Sequence, residues 1–314
     1  MNFDDEQIII GMSRKHGLGN RLHCLESAYG YAKLTGRKFY FVWDKDDECN
    51  IDFEEGFNLP DPDMQISLDD LELLLDDKYA ERMQVFSGLR YIYLNRLGSS
   101  SNLRNKSSVI FEQFVRRGGG ADVSHLKQDQ EEDIIIYDGY KELKYIDLEL
   151  FFKLLKPNGE LMDQIKRYKD DNGIDKSVIG AAIRGTDWKD RSDRRYTSSI
   201  EEQKKEIELI IESDKNKRIF LTSDEPELEE EFRATFPNNV FFRSKDESVS
   251  KINAESGKWD LNIMRDKTSV QEAIVDMYLM AYTDFKIWHQ MSSFGRISDR
   301  LSQWNIDCLK ENDA

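Results

Sequence analysis
A chain of 314 residues is longer than one hydrophobic core usually accommodates, so two compact domains are expected. Its 61 acidic and 45 basic residues give a formal net charge of -16, which disfavours a nonspecific grip on nucleic acid or on an anionic membrane. Cys24, Cys49 and Cys308 are an odd number without metal-ligand spacing, the opening "MNFDDEQIII" is acidic where a signal peptide is basic, and no apolar run approaches the ~20 residues of a membrane span, so a cytosolic protein with free thiols and no membrane segment is expected.

"QIIIGM" (7–12) reads as a short buried strand. After a polar turn with Gly17 and Gly19, Leu18, Leu22, Leu25, Ala28 and Ala32 recur at helical spacing up to Gly36, and "KFYFVW" (38–43) is the next strand. This strand, glycine turn, helix and strand form a unit of the kind that builds parallel sheets. Asp61-Pro62-Asp63 is read as a turn rather than a metal-binding pair. A helix is expected near 68–77, strands near 90–94 and 133–137, and a mobile loop at "RRGGGAD" (116–122). The stretch 148–173 is helical but broken at Pro157 and Gly159, which places the domain boundary between a first domain, 1–156, and a second, 157–314. In the second domain "SVIGAAIR" (177–184), "RIFLTSD" (218–224), "VFF" (240–242) and "FKIWHQ" (285–290) alternate with helices near 199–212, 226–235, 269–282 and 294–304. That alternation specifies an α/β class with a doubly wound parallel sheet, and 253–269 reads as a long loop.

In such sheets ligands bind beyond the carboxyl ends of the strands, where three polar clusters fall. Arg184, Gly185, Thr186 and Asp187 combine a planar fork of donors suited to phosphate oxygens with a glycine that permits close approach; a structural ion pair is the alternative. Ser292 and Ser293 stand where a strand gives way to a helix, whose first amides and dipole attract an anion, although a serine there also serves as an ordinary N-cap. "KHGLGNRL" (15–22) supplies turn amides and Asn20 ahead of the first helix. A fourth feature is Asp276, which interrupts the apolar stripe of "SVQEAIVDMYLMAY" behind a capping box of Ser269 and Glu272, and which needs donors from protein or ligand. His16, His23, His125 and His289 are scattered, and without an HExxH, a CxxC or a carboxylate cluster no metal cofactor is expected.

Taken in order, these segments resemble the fucosyltransferase superfamily that includes the animal core alpha-1,6-fucosyltransferase, the rhizobial Nod-factor fucosyltransferase and, more distantly, the protein O-fucosyltransferases. "HGLGNRLHCLESAYGYAKLTGRKFYFVW" (16–43) is similar to the family's glycine-loop segment, and "AIRGTDW" (182–188) stands where it carries a His-x-Arg-Arg-Thr-Asp pattern. "IFLTSDEPELEEEFRATFPN" (219–238) resembles its Thr-Ser-Asp strand and helix, and "SVQEAIVDMYLMAYTDFKIWHQMSSFGRIS" (269–298) its last motif. The likeness runs through 177–304 and is faint from 44 to 147.

The resemblance implies a GT-B-like architecture of two Rossmann-like domains with the donor cleft between them. It also implies GDP-fucose as donor, a glycan hydroxyl as acceptor, and metal-independent transfer with inversion. It makes Arg184 the arginine that contacts the donor diphosphate. Gly17, Leu18, Gly19, Asn20 and Arg21 of the glycine turn are further expected substrate-binding residues, as are Ala182, Ile183, Asp187, Ser223, Asp224, Asp276, Ser292, Ser293 and Phe294. Asp190 and then Asp193 are the candidates for the catalytic base that takes the acceptor proton, with plain solvent exposure of "KDRSDRR" (189–195) as the alternative. Three departures stand out: the family histidine is Ala182, its second arginine is Gly185, and the lysine after Asp187 is Trp188, with Lys189, Arg191 or Arg21 available as a replacement cation. The other readings are a transferase for another GDP-sugar, a nucleotide-sugar binder without catalysis, and a phosphate-handling α/β enzyme of another class, against which the lack of a phosphate-binding Gly-x-x-x-x-Gly-Lys-Ser/Thr loop speaks.

Overall fold
A computed structural model of the protein describes residues 7–13, 16–59, 61–67, 70, 83–87, 134–138, 149–185, 194–245, 267–289 and 292–304. The chain divides into two compact units, Met1–Asp46 with Asn58–Leu155, and Asp47–Phe57 with Lys156–Ala314. The strand expected at 90–94, the loop at 116–122, Cys308 and, apart from Asp70, the helix expected at 68–77 lie outside the described residues.

In the first unit, β1 (Ile8–Met12) is followed by α1 (Leu18–Thr35) and β2 (Lys38–Val42). With β4 (Met83–Ser87) and β5 (Ile134–Asp138) the strands form a parallel sheet in the order β2-β1-β5-β4, with Ile8 opposite both Lys38 and Ile134. Every residue of "IIIGM" is buried, as suits a central parallel strand covered on both faces. Helix α1 ends at Gly36, whose φ of 71° is the left-handed conformation that glycine adopts at least cost. Tyr29, Phe39 and Phe151 meet edge to face or tilted, with centroids 5.3 to 6.3 Å apart, and join α1 and β2 to α3 (Glu149–Leu154). Asp61 and Pro62 open a 3-10 turn, Pro62–Met64, in which the Asp61 carboxylate accepts the Asp63 amide at 3.0 Å.

The second unit carries β7 (Ile179–Ile183), α5 (Arg194–Ser213), β8 (Ile219–Ser223), α6 (Pro226–Thr235), β9 (Val240–Phe241), α7 (Lys267–Ala281), β10 (Lys286–Trp288) and α8 (Ser293–Trp304). Its four strands are parallel in the order β10-β7-β8-β9. One face is a core of Ile179, Ala181, Ile183, Ile207, Leu221 and Phe232 with their neighbours. The unit also takes in the excursion 47–57, where α2 (Phe53–Gly56) carries a capping box of Asp52 and Glu55. Asn158, the N-cap of α4 (Gly159–Asp171), donates its side-chain amide to the Glu55 carbonyl at 2.6 Å, and Gln271 of α7 donates to the same oxygen at 3.1 Å. Short β3 (Phe57–Asn58) at the end of the excursion pairs with β6 (Lys156–Pro157), the point where the helical stretch 148–173 is interrupted.

Helix α7 begins at Lys267, two residues ahead of the capping box read from Ser269 and Glu272. Ser269 therefore lies inside the first turn, and Glu272 is 3.5 Å from Arg243.

Candidate functional site
Strand order locates the site. In β10-β7-β8-β9 the chain runs outward from β7 to β8 and β9, then returns across the sheet to place β10 on the other side of β7. The switch point thus lies between the carboxyl ends of β7 and β10, where open α/β sheets receive ligands.

At the first of these ends Ile183 is buried and Arg184, the next residue, is half-buried. The amide of Gly185 donates to Asp224 Oδ1 at 2.8 Å. A Cβ on Gly185 would lie 2.5 Å from Leu228 Cδ1 and 2.6 Å from Glu225 Oε2, so a side chain at this position requires the ends of Leu228 and Glu225 to shift. Gly185→Ala is expected to cost ~1–3 kcal/mol of stability through overpacking, to be read from the urea midpoint. The carbonyl of Ala182 accepts from Gln203 Nε2 of α5 at 3.1 Å.

At the second end, the Ser292 amide donates to the His289 carbonyl at 2.7 Å, and the Ser292 hydroxyl accepts the Gly295 amide at 3.1 Å. Ser292 is therefore the N-cap of α8, which leaves Ser293 and Phe294 in the first turn, where helix amides and dipole favour an anion. Burial holds the His289 imidazole below its usual pKa.

Between β8 and α7 lies a buried charge cluster. Asp276, 2% exposed, accepts from Thr222 Oγ1 at 2.7 Å and Arg243 Nε at 2.9 Å, with Lys245 Nζ at 3.2 Å. Lys245 also reaches Glu229 Oε1 at 2.6 Å and the Ser223 carbonyl at 2.5 Å. Burial by itself would raise the Asp276 pKa, but Arg243 and Lys245 hold its carboxyl below the ordinary 3.8. Burial opposes the charge on Lys245, yet Asp276 and Glu229 raise its pKa above the ordinary lysine value. Glu229 is pushed up to about 7, chiefly by burial, with Lys245 acting against the rise.

In the first unit, Gly17 caps α1 in extended conformation; Leu18 and Gly19 are buried and Asn20 is half-buried. Arg21, 1% exposed, donates Nε to the His16 carbonyl at 2.8 Å and Nη1 to the Asp44 carbonyl at 2.6 Å. Its guanidinium lies 5.2 Å from the Trp43 ring centroid, and Nη2 is 2.7 Å from the Asp46 carboxylate, an ion pair rather than an aligned hydrogen bond. These contacts tie the β1–α1 turn to the exit of β2.

Arg184, Ala182, Ile183, Ser223, Asp224, Asp276, Ser292, Ser293 and Phe294 thus belong to the second unit, and Gly17 to Arg21 to the first. Asp187, Lys189, Asp190, Arg191 and Asp193 lie outside the described residues, as does 253–266 of the expected loop 253–269, whose last three residues instead open helix α7. Among the described residues no three His, Cys, Asp or Glu side chains are grouped as metal ligands. Sequence reading missed Arg243, Lys245 and Glu229. The available signal was "FFRSKD" (241–246), two cations at strand period directly after an apolar strand, so both lie on one side of the chain.

No protein-family model matches the sequence, and no curated protein matches it. Solved structures do match in fold. The NodZ alpha-1,6-fucosyltransferase co-crystallised with GDP is 18% identical with a TM-score of 0.58, over 94% of this chain and 92% of that one, and NodZ from Bradyrhizobium superposes equally. POFUT1 in complex with GDP is 13% identical with a TM-score of 0.55, over 96% and 97% of the two chains. The fold is α/β with parallel sheets, of the GT-B type represented by these fucosyltransferases.

Proposed function
We propose that this protein is an inverting, metal-independent glycosyltransferase that moves fucose from GDP-fucose to a glycan hydroxyl. The observation that carries the reading is the switch point of the second unit, where Arg184 and the capped start of α8 occupy the carboxyl ends of β7 and β10. The same fold in NodZ was solved after soaking with GDP-fucose, and in POFUT1 in complex with GDP-fucose. The second unit is assigned the nucleotide-sugar and the first, with the turn Gly17 to Arg21, the acceptor side. Buried free thiols at Cys24 and Cys49 support a cytosolic setting.

Departure of the diphosphate leaves an oxocarbenium-like sugar and concentrates negative charge on the leaving oxygens, so charge stabilisation is the dominant catalytic requirement. Arg184 supplies a fork of donors, and the amides of Ser293 and Phe294 supply a fixed dipole with no reorganisation during reaction. Asp190, with Asp193 second, takes the acceptor proton on the face opposite the leaving group.

A second reading, nucleotide-sugar binding without transfer, is favoured by Gly185, since glycine stands where the resemblance expects a second arginine. Donor hydrolysis or transfer by the purified protein separates the two. For the binding step itself, GDP and GDP-fucose at ~100-fold above Kd should stabilise the fold by ~2.7 kcal/mol, while UDP and ADP do not. The stabilisation, and turnover, should persist in EDTA. Equal response to all nucleotides, or loss in EDTA, contradicts the assignment.

A further inference from the structure
Strand β8 runs on beyond its neighbour. On the β9 side only Ile219 and Phe220 have strand partners, Val240 and Phe241, whereas on the β7 side pairing continues to Ser223 opposite Ile183. The backbone at Ser223 must therefore find its partners elsewhere. It finds them in side chains: the Ser223 amide donates to Glu229 Oε1 at 2.9 Å, and the Ser223 carbonyl accepts from Lys245 Nζ at 2.5 Å. Lys245 and Glu229 are themselves 2.6 Å apart, so the two form one closed unit gripping both peptide groups of Ser223. That grip reaches Arg184 in two steps. The Ser223 carbonyl belongs to the peptide leading into Asp224, and Asp224 Oδ1 holds the Gly185 amide, which belongs to the peptide leaving Arg184. With β7 held on one side and that peptide on the other, both φ and ψ of Arg184 are fixed, and with them the direction of its Cα–Cβ bond.

We infer that Lys245 and Glu229 are positioning residues for Arg184, acting as a side-chain substitute for the missing strand at Ser223. Their part in turnover rests on the proposed transfer reaction; their part in geometry does not. A preorganised donor aimed at developing charge loses effect when its direction is released, whereas ground-state donor binding, shared with the α8 amides, changes less. The bond between Lys245 and Glu229 also explains why a carboxylate is tolerated on the buried side of α6.

The test uses the full chain and two variants, Lys245→Met and Glu229→Gln. The second keeps an acceptor for the Ser223 amide and removes only the charge pairing. Amide hydrogen exchange at Gly185 should speed up about tenfold or more in both variants, as expected when one hydrogen bond of ordinary strength is loosened, while Ala181 in mid-strand keeps its protection. With GDP-fucose, kcat should fall about tenfold with KM within about twofold, the pattern of a contact made in the transition state. If Lys245→Met does not fold, Glu229→Gln decides. Unchanged Gly185 exchange in a folded variant overturns the inference, as does a uniform loss of protection across β7, which marks a merely structural role. If the wild-type protein neither binds GDP nor turns over, the proposed function fails, and the exchange measurement still decides the clamp.

Discussion

Replacing Arg184 by alanine is expected to lower turnover by ~10²- to 10³-fold, the usual cost of removing one preorganised donor from a site of developing charge. The variant should remain folded, as urea denaturation reads. The loss should fall mainly on kcat. The helix amides remain to bind the ground-state diphosphate, while the charge that builds on the leaving oxygens meets no guanidinium. Arg184→Lys should recover part of the rate, since it restores a point charge without the planar two-donor fork. Glycine at position 185 supplies no second cation beside Arg184, so a large effect is expected from this single substitution. Steady-state kinetics of the two folded variants, with urea denaturation alongside, is the check, and full activity in Arg184→Ala removes the arginine from the mechanism.

The second large effect is on stability. Asp276→Ala should destabilise the second unit by ~3–5 kcal/mol, because it strips the acceptor from Thr222, Arg243 and Lys245 at once and leaves two buried cations with a single carboxylate each. Asp276→Asn keeps the volume and one acceptor, and its cost should be smaller. The contribution also has a defined pH dependence. Because Arg243 and Lys245 outweigh burial and depress the folded pKa below 3.8, the unfolded chain takes up the proton first on acidification. The stability due to the Asp276 charge is complete well above pH 3.8 and is lost as pH falls through the folded value. The wild-type minus Asp276→Asn difference, followed by urea denaturation, should therefore shrink below pH 4, while any change between about pH 7 and pH 5 belongs to Glu229, whose raised pKa the Asp276 charge helps to set. A difference that is the same at pH 3 and pH 7 would mean that the charge itself contributes nothing.

The elements that build the second sheet were readable from local pattern. "SVIGAAIR", "RIFLTSD" and "FKIWHQ" are short apolar runs between helical repeats, and each lies on a strand in place: β7, β8 and β10. α5, α6 and α8 likewise follow from spacing that the neighbouring residues enforce. In the first unit "QIIIGM" and "KFYFVW" lie on β1 and β2, whereas β4, "MQVFS", offers too short an alternation to stand out from its polar surroundings. The Ser292 cap was equally legible, since an N-cap depends on four residues of contiguous chain, here Ser292 to Gly295.

What the sequence determined by itself is thus everything set by near neighbours: periodicity, turns, caps, and the arginine at a strand end with glycine behind it. The tertiary structure alone decided which strands lie side by side, that 47–57 joins the second unit, and that Glu272 meets Arg243. It alone packed Leu228 and Glu225 against Gly185 and gathered Thr222, Glu229, Arg243, Lys245 and Asp276, which span 54 positions of chain between the Thr222 and Asp276 partners. The physical reason is the same in each case: burial makes an unpaired charge or an unfilled backbone group costly, and the partner that relieves it is chosen by proximity in space, which local sequence does not encode.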